Sequence, residues 1–182
     1  ENRISADVRR RRFESSIGNA SSGLAGAVDG NGRVELTHYS RKELQRGDPK
    51  LWGSNLSKNT SSEKQRLKSA PPRTYFGVES GLPNGYRKEQ GLGNFKHTAE
   101  VDASLLYDWN NDPDRLYKGT ILQQYRDYGA YEKLVRDAGY VGYYVDGFNG
   151  LTVAAFDPLV LEATAVSSKE DAIKNAGLDK GF

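Results

Sequence analysis

Apolar and polar residues alternate in several stretches of this chain and recur at helical spacing in one. From Arg33 to Tyr39, the positions Val34, Leu36 and His38 share one face, the pattern of a half-buried strand. Arg73 to Gly77 reads as a second short strand. Phe95, His97, Ala99 and Val101 alternate again, giving a third that runs on into Leu105, Leu106, Tyr107 and Asp108. Ile121, Tyr125, Tyr128, Tyr131, Val135 and Ala138 return at intervals of three and four, which predicts an amphipathic helix with Gly129 as a point of division. Gly139 ends it. Val141–Val145 and Leu151–Phe156 flank Asp146-Gly147-Phe148-Asn149-Gly150, whose Asp-Gly and Asn-Gly pairs are turn signals, so this is a hairpin. Pro158 to Ala163 reads as a last strand, and Ser61 to Lys68 as a short helix stopped by Pro71-Pro72.

The order of elements is not a regular β-α-β alternation, and no Gly-rich turn joins a strand to a helix. It predicts an α+β fold with two small antiparallel sheets packed together and flanking helices. Residues 1–32 read as a flexible arm: Arg9 to Arg12 are basic and can sit on a short helix, and Ser15 to Gly32 is rich in Gly, Ser, Asn and Ala with no sustained period. Residues 33–166 are expected to form the folded domain, and 167–182 a polar tail or short helix.

At 182 residues the chain fits one domain. Hydrophobic residues make up 36% and mean hydropathy is −0.74, low enough to expect that part of the chain packs poorly. No apolar run approaches the length of a membrane span, and the protein is expected to be a monomer. The absence of cysteine removes disulfides and thiolate chemistry. With two histidines, zinc chemistry is disfavoured and no metal site is expected. There is no Gly-x-Ser-x-Gly elbow and no P-loop. Net charge is +2, but Arg9–Arg12 and the stretch from Lys58 to Arg73 concentrate positive charge. A solvated surface and a polyanion contact both explain those stretches.

Since there are only two histidines, His38 at the end of an apolar strand stands out. Tyr75 and Tyr86, eleven residues apart, can sandwich a flat ring, and a histidine can hydrogen-bond a sugar hydroxyl. Together these parts suit a split NAD-binding cleft. Three blocks carry a resemblance: Thr37-His38-Tyr39-Ser40; Thr74-Tyr75-Phe76-Gly77 with Tyr86; and Gly139-Tyr140-Val141-Gly142 to Phe156-Asp157-Pro158. From about Val34 to Val160 the chain resembles the ADP-ribosyltransferase superfamily, in the His-Tyr-acid branch of diphtheria-like toxins and poly(ADP-ribose) polymerases. It is similar to modules in bacterial polymorphic toxins and phage-encoded proteins.

The resemblance implies a mono-ADP-ribosyltransferase that consumes NAD and modifies a protein or nucleic acid target in a bacterial or host cytoplasm. His38 would bond the adenosine ribose, Ser40 would add a polar contact, and the His38–Tyr39 backbone would hold the nicotinamide amide. Thr37 and Gly77 belong to the same binding blocks. Tyr75 would wall the nicotinamide pocket and Tyr86 would stack on the ring. Two departures matter. Tyr39 stands where the polymerase-like branch has Gly, and Thr152 stands where the catalytic Glu begins its strand. Asp146, on the opposite arm of the hairpin, is the expected catalytic acid, with Asn149 or Glu79 as substitutes. The competing readings are a metal-independent ribonuclease using His38 and His97, and a non-catalytic virion or binding module.

Overall fold

The computed structural model describes residues 3–18, 24–40, 42–44, 71, 73–78, 95–117, 128–147, 150–156 and 159–165. Their strands are β1 (Arg33–Ser40), β2 (Thr74–Gly77), β3 (Phe95–Asp102), β4 (Leu106–Asp108), β5 (Gly142–Gly147), β6 (Gly150–Ala155) and β7 (Glu162–Ala165). The helices are α1 (Ala6–Gly18) and α2 (Tyr128–Asp137). The fold is mixed, with both helices and strands. The expected helix 61–68, the segment 121–127 of the longer helix, and the tail 167–182 lie outside the described residues.

Two separate sheets were expected, but the strands form one ladder in the order β4-β5-β6-β2-β1-β3-β7. The reason is β6, which pairs with β5 along one edge and with β2 along the other. Only β4 and β5 run parallel, with α2 in the connection between them. The ladder is not flat. Asp102 ends β3 and Leu106 begins β4, yet five strand spacings separate these strands, about 24 Å in a flat sheet. Four Cα steps reach at most about 15 Å. The sheet must therefore curl, bringing its two halves face to face without closing.

Inside the curl lie Val34, Leu36, Phe76, Val78, Ala99, Val101, Leu106, Tyr144, Leu151, Val153 and Ala155. On the outer face a second core, built on Tyr107, Trp109, Tyr143, Ala154 and Phe156, is covered by Tyr131 and Val135 of α2 and by Ala138 just past its end. Neighbours along a strand enter different cores, as Val153 and Ala154 do, which is the period-two geometry of a strand buried on both faces. The third predicted strand breaks after Asp102, whose carboxylate accepts from Ser104 N at 2.9 Å and Ser104 Oγ at 2.7 Å. That cap starts a tight turn at Ala103, and Leu106–Asp108 leaves for the far edge. The last strand begins later than expected, at Glu162, where it pairs with β3.

The described part of the first 32 residues is not a detached arm. Ser5 caps α1 through a hydrogen bond from Val8 N at 3.4 Å. Arg9 is buried over the Tyr140 ring, and Arg12 pairs with Asp114. Phe13 packs on the inner core, and Leu24 within it is fully buried. Composition concealed this because the anchors are few: one buried arginine, a second that pairs with Asp114 from the surface, and isolated apolar side chains, rather than a stripe. α2 ends in a Schellman arrangement, with Tyr140 N bonding Val135 O and Gly139 N bonding Arg136 O. Gly139 takes the required left-handed φ of 96°. None of the described helices is long and apolar enough to cross a membrane.

Candidate functional site

β1 joins β3 through eight registered pairs but meets β2 through Thr37↔Gly77 alone. This seam is the narrowest point of the ladder, and His38 sits on it. His38 follows Val34 and Leu36 on the inner face, with Phe76 edge-on at 5.7 Å. Its Nδ1 lies 2.7 Å from the Tyr75 carbonyl oxygen. A carbonyl only accepts, so Nδ1 carries the hydrogen and Nε2 presents a lone pair. Burial is the main cause that pushes the His38 pKa down, and the nearby His97 adds to it. The ring is therefore a neutral acceptor near pH 7, and Nε2 makes no hydrogen bond among the described residues.

His97 pairs with His38 across β1 and β3 and is fully buried. Its Nδ1 donates to the His38 carbonyl at 3.2 Å, and its Nε2 accepts from Leu44 N at 3.0 Å. Burial lowers its pKa too, against the opposing charge of Glu43. Both nitrogens are engaged in structure, which leaves neither to exchange a proton with a substrate. The same hydrogen bond ties residues 42–44 to the site and brings in Glu43, an exposed carboxylate that sequence reasoning did not single out.

On the outer face, Tyr75 is half-buried and its hydroxyl accepts from Arg73 Nε at 2.8 Å. The Arg73 guanidinium lies 5.5 Å from the Tyr75 ring centroid. Arg73 Nη1 is 2.9 Å from Glu132 Oε2, an ion pair whose N–H is not aligned as a hydrogen bond. Glu132 is fully buried and accepts from Tyr143 OH at 2.6 Å. Burial works against both charges. For Arg73 the surrounding Glu132 and tyrosines outweigh it and the pKa rises. For Glu132 burial wins, pushing the pKa up to about 7. Trp109 packs edge-on against Tyr131 and tilted against Tyr143, with ring centroids 3.9 and 4.3 Å apart, beside this network. The sequence did carry one sign of it: Glu132 falls on the apolar stripe of α2, between Tyr131 and Val135.

The remaining expected site residues scatter around the seam. Thr37 is buried, and Tyr39 is half-buried opposite Lys96. The Ser40 hydroxyl donates to the Lys42 carbonyl. Gly77 is buried between Thr37 and Thr152. His38 and Tyr75 lie at the same end of β1 and β2, but their side chains enter opposite faces. Asp146 is exposed on β5, its amide donating to Asn110 Oδ1 at 2.9 Å. Register puts Asp146 level with Leu151 on the inner face, which it shares with His38, but three strand spacings from β1. Thr152 is on the other face. Tyr86, Glu79 and Asn149 lie outside the described residues, and the Tyr75–Tyr86 sandwich with them. Among the described residues, no cluster of three or more His, Asp or Glu side chains is suited to a metal ion. A separate groove of about 530 Å³, lined by Arg33, Glu35, Thr98, Glu100, Leu159 and Glu162, includes none of the expected residues. Comparison with protein-family models, with curated proteins and with solved structures found no match to this chain.

Proposed function

We propose that this protein is an NAD-dependent mono-ADP-ribosyltransferase acting at the β1–β2 seam. One observation carries the reading. The hydrogen bond from His38 Nδ1 to the Tyr75 carbonyl joins two residues that are 37 positions apart and that the resemblance assigns to one cofactor site. It also fixes the tautomer such a site needs, a neutral ring offering Nε2 to a ribose hydroxyl. A long ligand crossing the strand ends would meet His38 on the inner face and Tyr75 on the outer one. In the reaction, the bond between the ribose C1′ and the nicotinamide nitrogen breaks and nicotinamide leaves with the electron pair. A nucleophile on a protein or nucleic acid target then bonds C1′ and gives up its proton. Asp146, on the inner face, is the proposed carboxylate that stabilises the positive charge developing on the sugar.

The test is nicotinamide release by the purified protein, with NAD affinity measured separately, in the wild type and in His38→Ala. We expect release by the wild type and affinity about 2- to 13-fold weaker in the variant, the range for one hydrogen bond. Absence of both NAD binding and release in the folded wild type would rule the reading out. RNA cleavage without NAD that is lost in His38→Ala would replace it with a nuclease.

A further inference from the structure

We infer that Arg73 and Glu132 are positioning residues for Tyr75: Glu132 holds the guanidinium in place, and the guanidinium holds the phenol. The inference rests on the reading of Tyr75 as part of the NAD site. The chain of contacts is continuous. Tyr143 OH donates to Glu132 Oε1 at 2.6 Å, Glu132 Oε2 faces Arg73 Nη1 at 2.9 Å, and Arg73 Nε donates to Tyr75 OH at 2.8 Å. The ring also lies beneath the same guanidinium. Arg73 and Glu132 are 8% and 0% exposed, so neither charge is relaxed by solvent.

A buried ion pair is a weak way to stabilise a fold, because desolvation of two charges offsets most of their attraction. An apolar pair of similar volume would serve α2 and β2 equally well. What an apolar pair cannot do is aim a donor at the Tyr75 oxygen. By accepting from a cation, that oxygen commits a lone pair to the protein interior, and its own hydrogen points elsewhere, polarised for donation to a ligand. Tyr75 is half-buried, and Arg73 is the only hydrogen-bond partner of its hydroxyl among the described residues. The groups facing Glu132 are Arg73, next to β2, and Tyr143 from β5; Lys133, Arg136 and Asp137 on its own helix are exposed.

The experiment labels tyrosine with carbon-13 at the hydroxyl-bearing carbon and identifies the Tyr75 signal by its loss in Tyr75→Phe. In wild-type protein, the Tyr75 signal should move with pH at the same midpoint as the Glu132 carboxyl signal. In Glu132→Gln, which keeps volume and an acceptor for Tyr143, the signal should shift while tyrosines remote from the network keep theirs. A Tyr75 signal that ignores the titration of Glu132 overturns the inference, and the wild-type titration decides even if the variant does not fold. NAD affinity supplies a second arm. Glu132→Gln should weaken binding about 2- to 13-fold, and the double variant with Tyr75→Phe should be no weaker than Tyr75→Phe alone. Additive losses would mean that Glu132 acts elsewhere. If the wild type binds no NAD, the proposed function fails while the tyrosine signal still decides this inference.

Discussion

The two faces of the sheet at β2 are built on opposite principles. On the outer face, Tyr75 rests on a closed network in which Arg73, Glu132 and Tyr143 are all buried, beside the Trp109–Tyr131–Tyr143 cluster. On the inner face, His38 stands where β1 and β2 share a single registered pair, with one ring nitrogen bonded and the other without a hydrogen bond among the described residues. The first region converts buried polarity into fixed geometry. The second leaves strand pairing incomplete at the seam. The contrast teaches that a site residue is recognised less by its own burial than by whether its polar atoms are fully used. His97 is the counterexample within the same cluster, a histidine with both nitrogens consumed by structure.

The largest effect should come from breaking the closed side. Glu132→Ala leaves the Arg73 charge buried and uncompensated, and should destabilise the fold by about 3–5 kcal/mol. Chemical denaturation measures this, and a loss below about 1 kcal/mol would mean that solvent reaches the pair. Leu24→Ala should cost about 2–5 kcal/mol as a cavity in the inner core. A neutral result there would restore the detached arm expected from composition.

The closed side should also be visible in the pH dependence of stability. Below about pH 4.3, the ordinary value for glutamate, both the folded and the unfolded chain keep the Glu132 proton. Between there and about 7 only the native state keeps it, so rising pH weakens the fold across that window. The contribution of this one group is on the order of 3 kcal/mol. Denaturation midpoints taken from pH 5 to 8 should show the decline in the wild type and a flatter profile in Glu132→Gln. Identical profiles would place the Glu132 pKa in the ordinary range.

The open side is sharpened by its carboxylates. Asp146→Asn should keep NAD binding and lower nicotinamide release about 10²-fold, the scale for losing an electrostatic partner of the transition state, while Thr152→Ala changes little. Full activity in Asp146→Asn with loss in Glu43→Gln would move the acid to the segment that Leu44 ties to His97.

The strands and the helix were legible because their signals are local. Val34, Leu36 and His38 alternate, and Tyr131, Val135 and Ala138 recur at helical spacing, whatever lies around them. The hairpin of β5 and β6 followed from its turn residues in the same way. Pairing partners were not legible, since any half-buried strand presents the same alternating face. That is why one curled ladder stands where two sheets were expected, and why Leu106–Asp108 crosses to the far edge instead of extending β3.

Residue types along the chain marked which groups have chemistry to offer. His38, Tyr75 and Asp146 could be named from residue type and neighbours. Folding set how those groups are used. It turned His38 and Tyr75 to opposite faces, consumed His97 and spaced Asp146 three strands from β1. It also buried Arg73 against Glu132 beneath Tyr75. The physical reason is that a tautomer, a raised carboxyl pKa or a fixed phenol depends on burial and on partners distant in the chain. Those partners are set by strand register and helix docking, which local sequence does not encode.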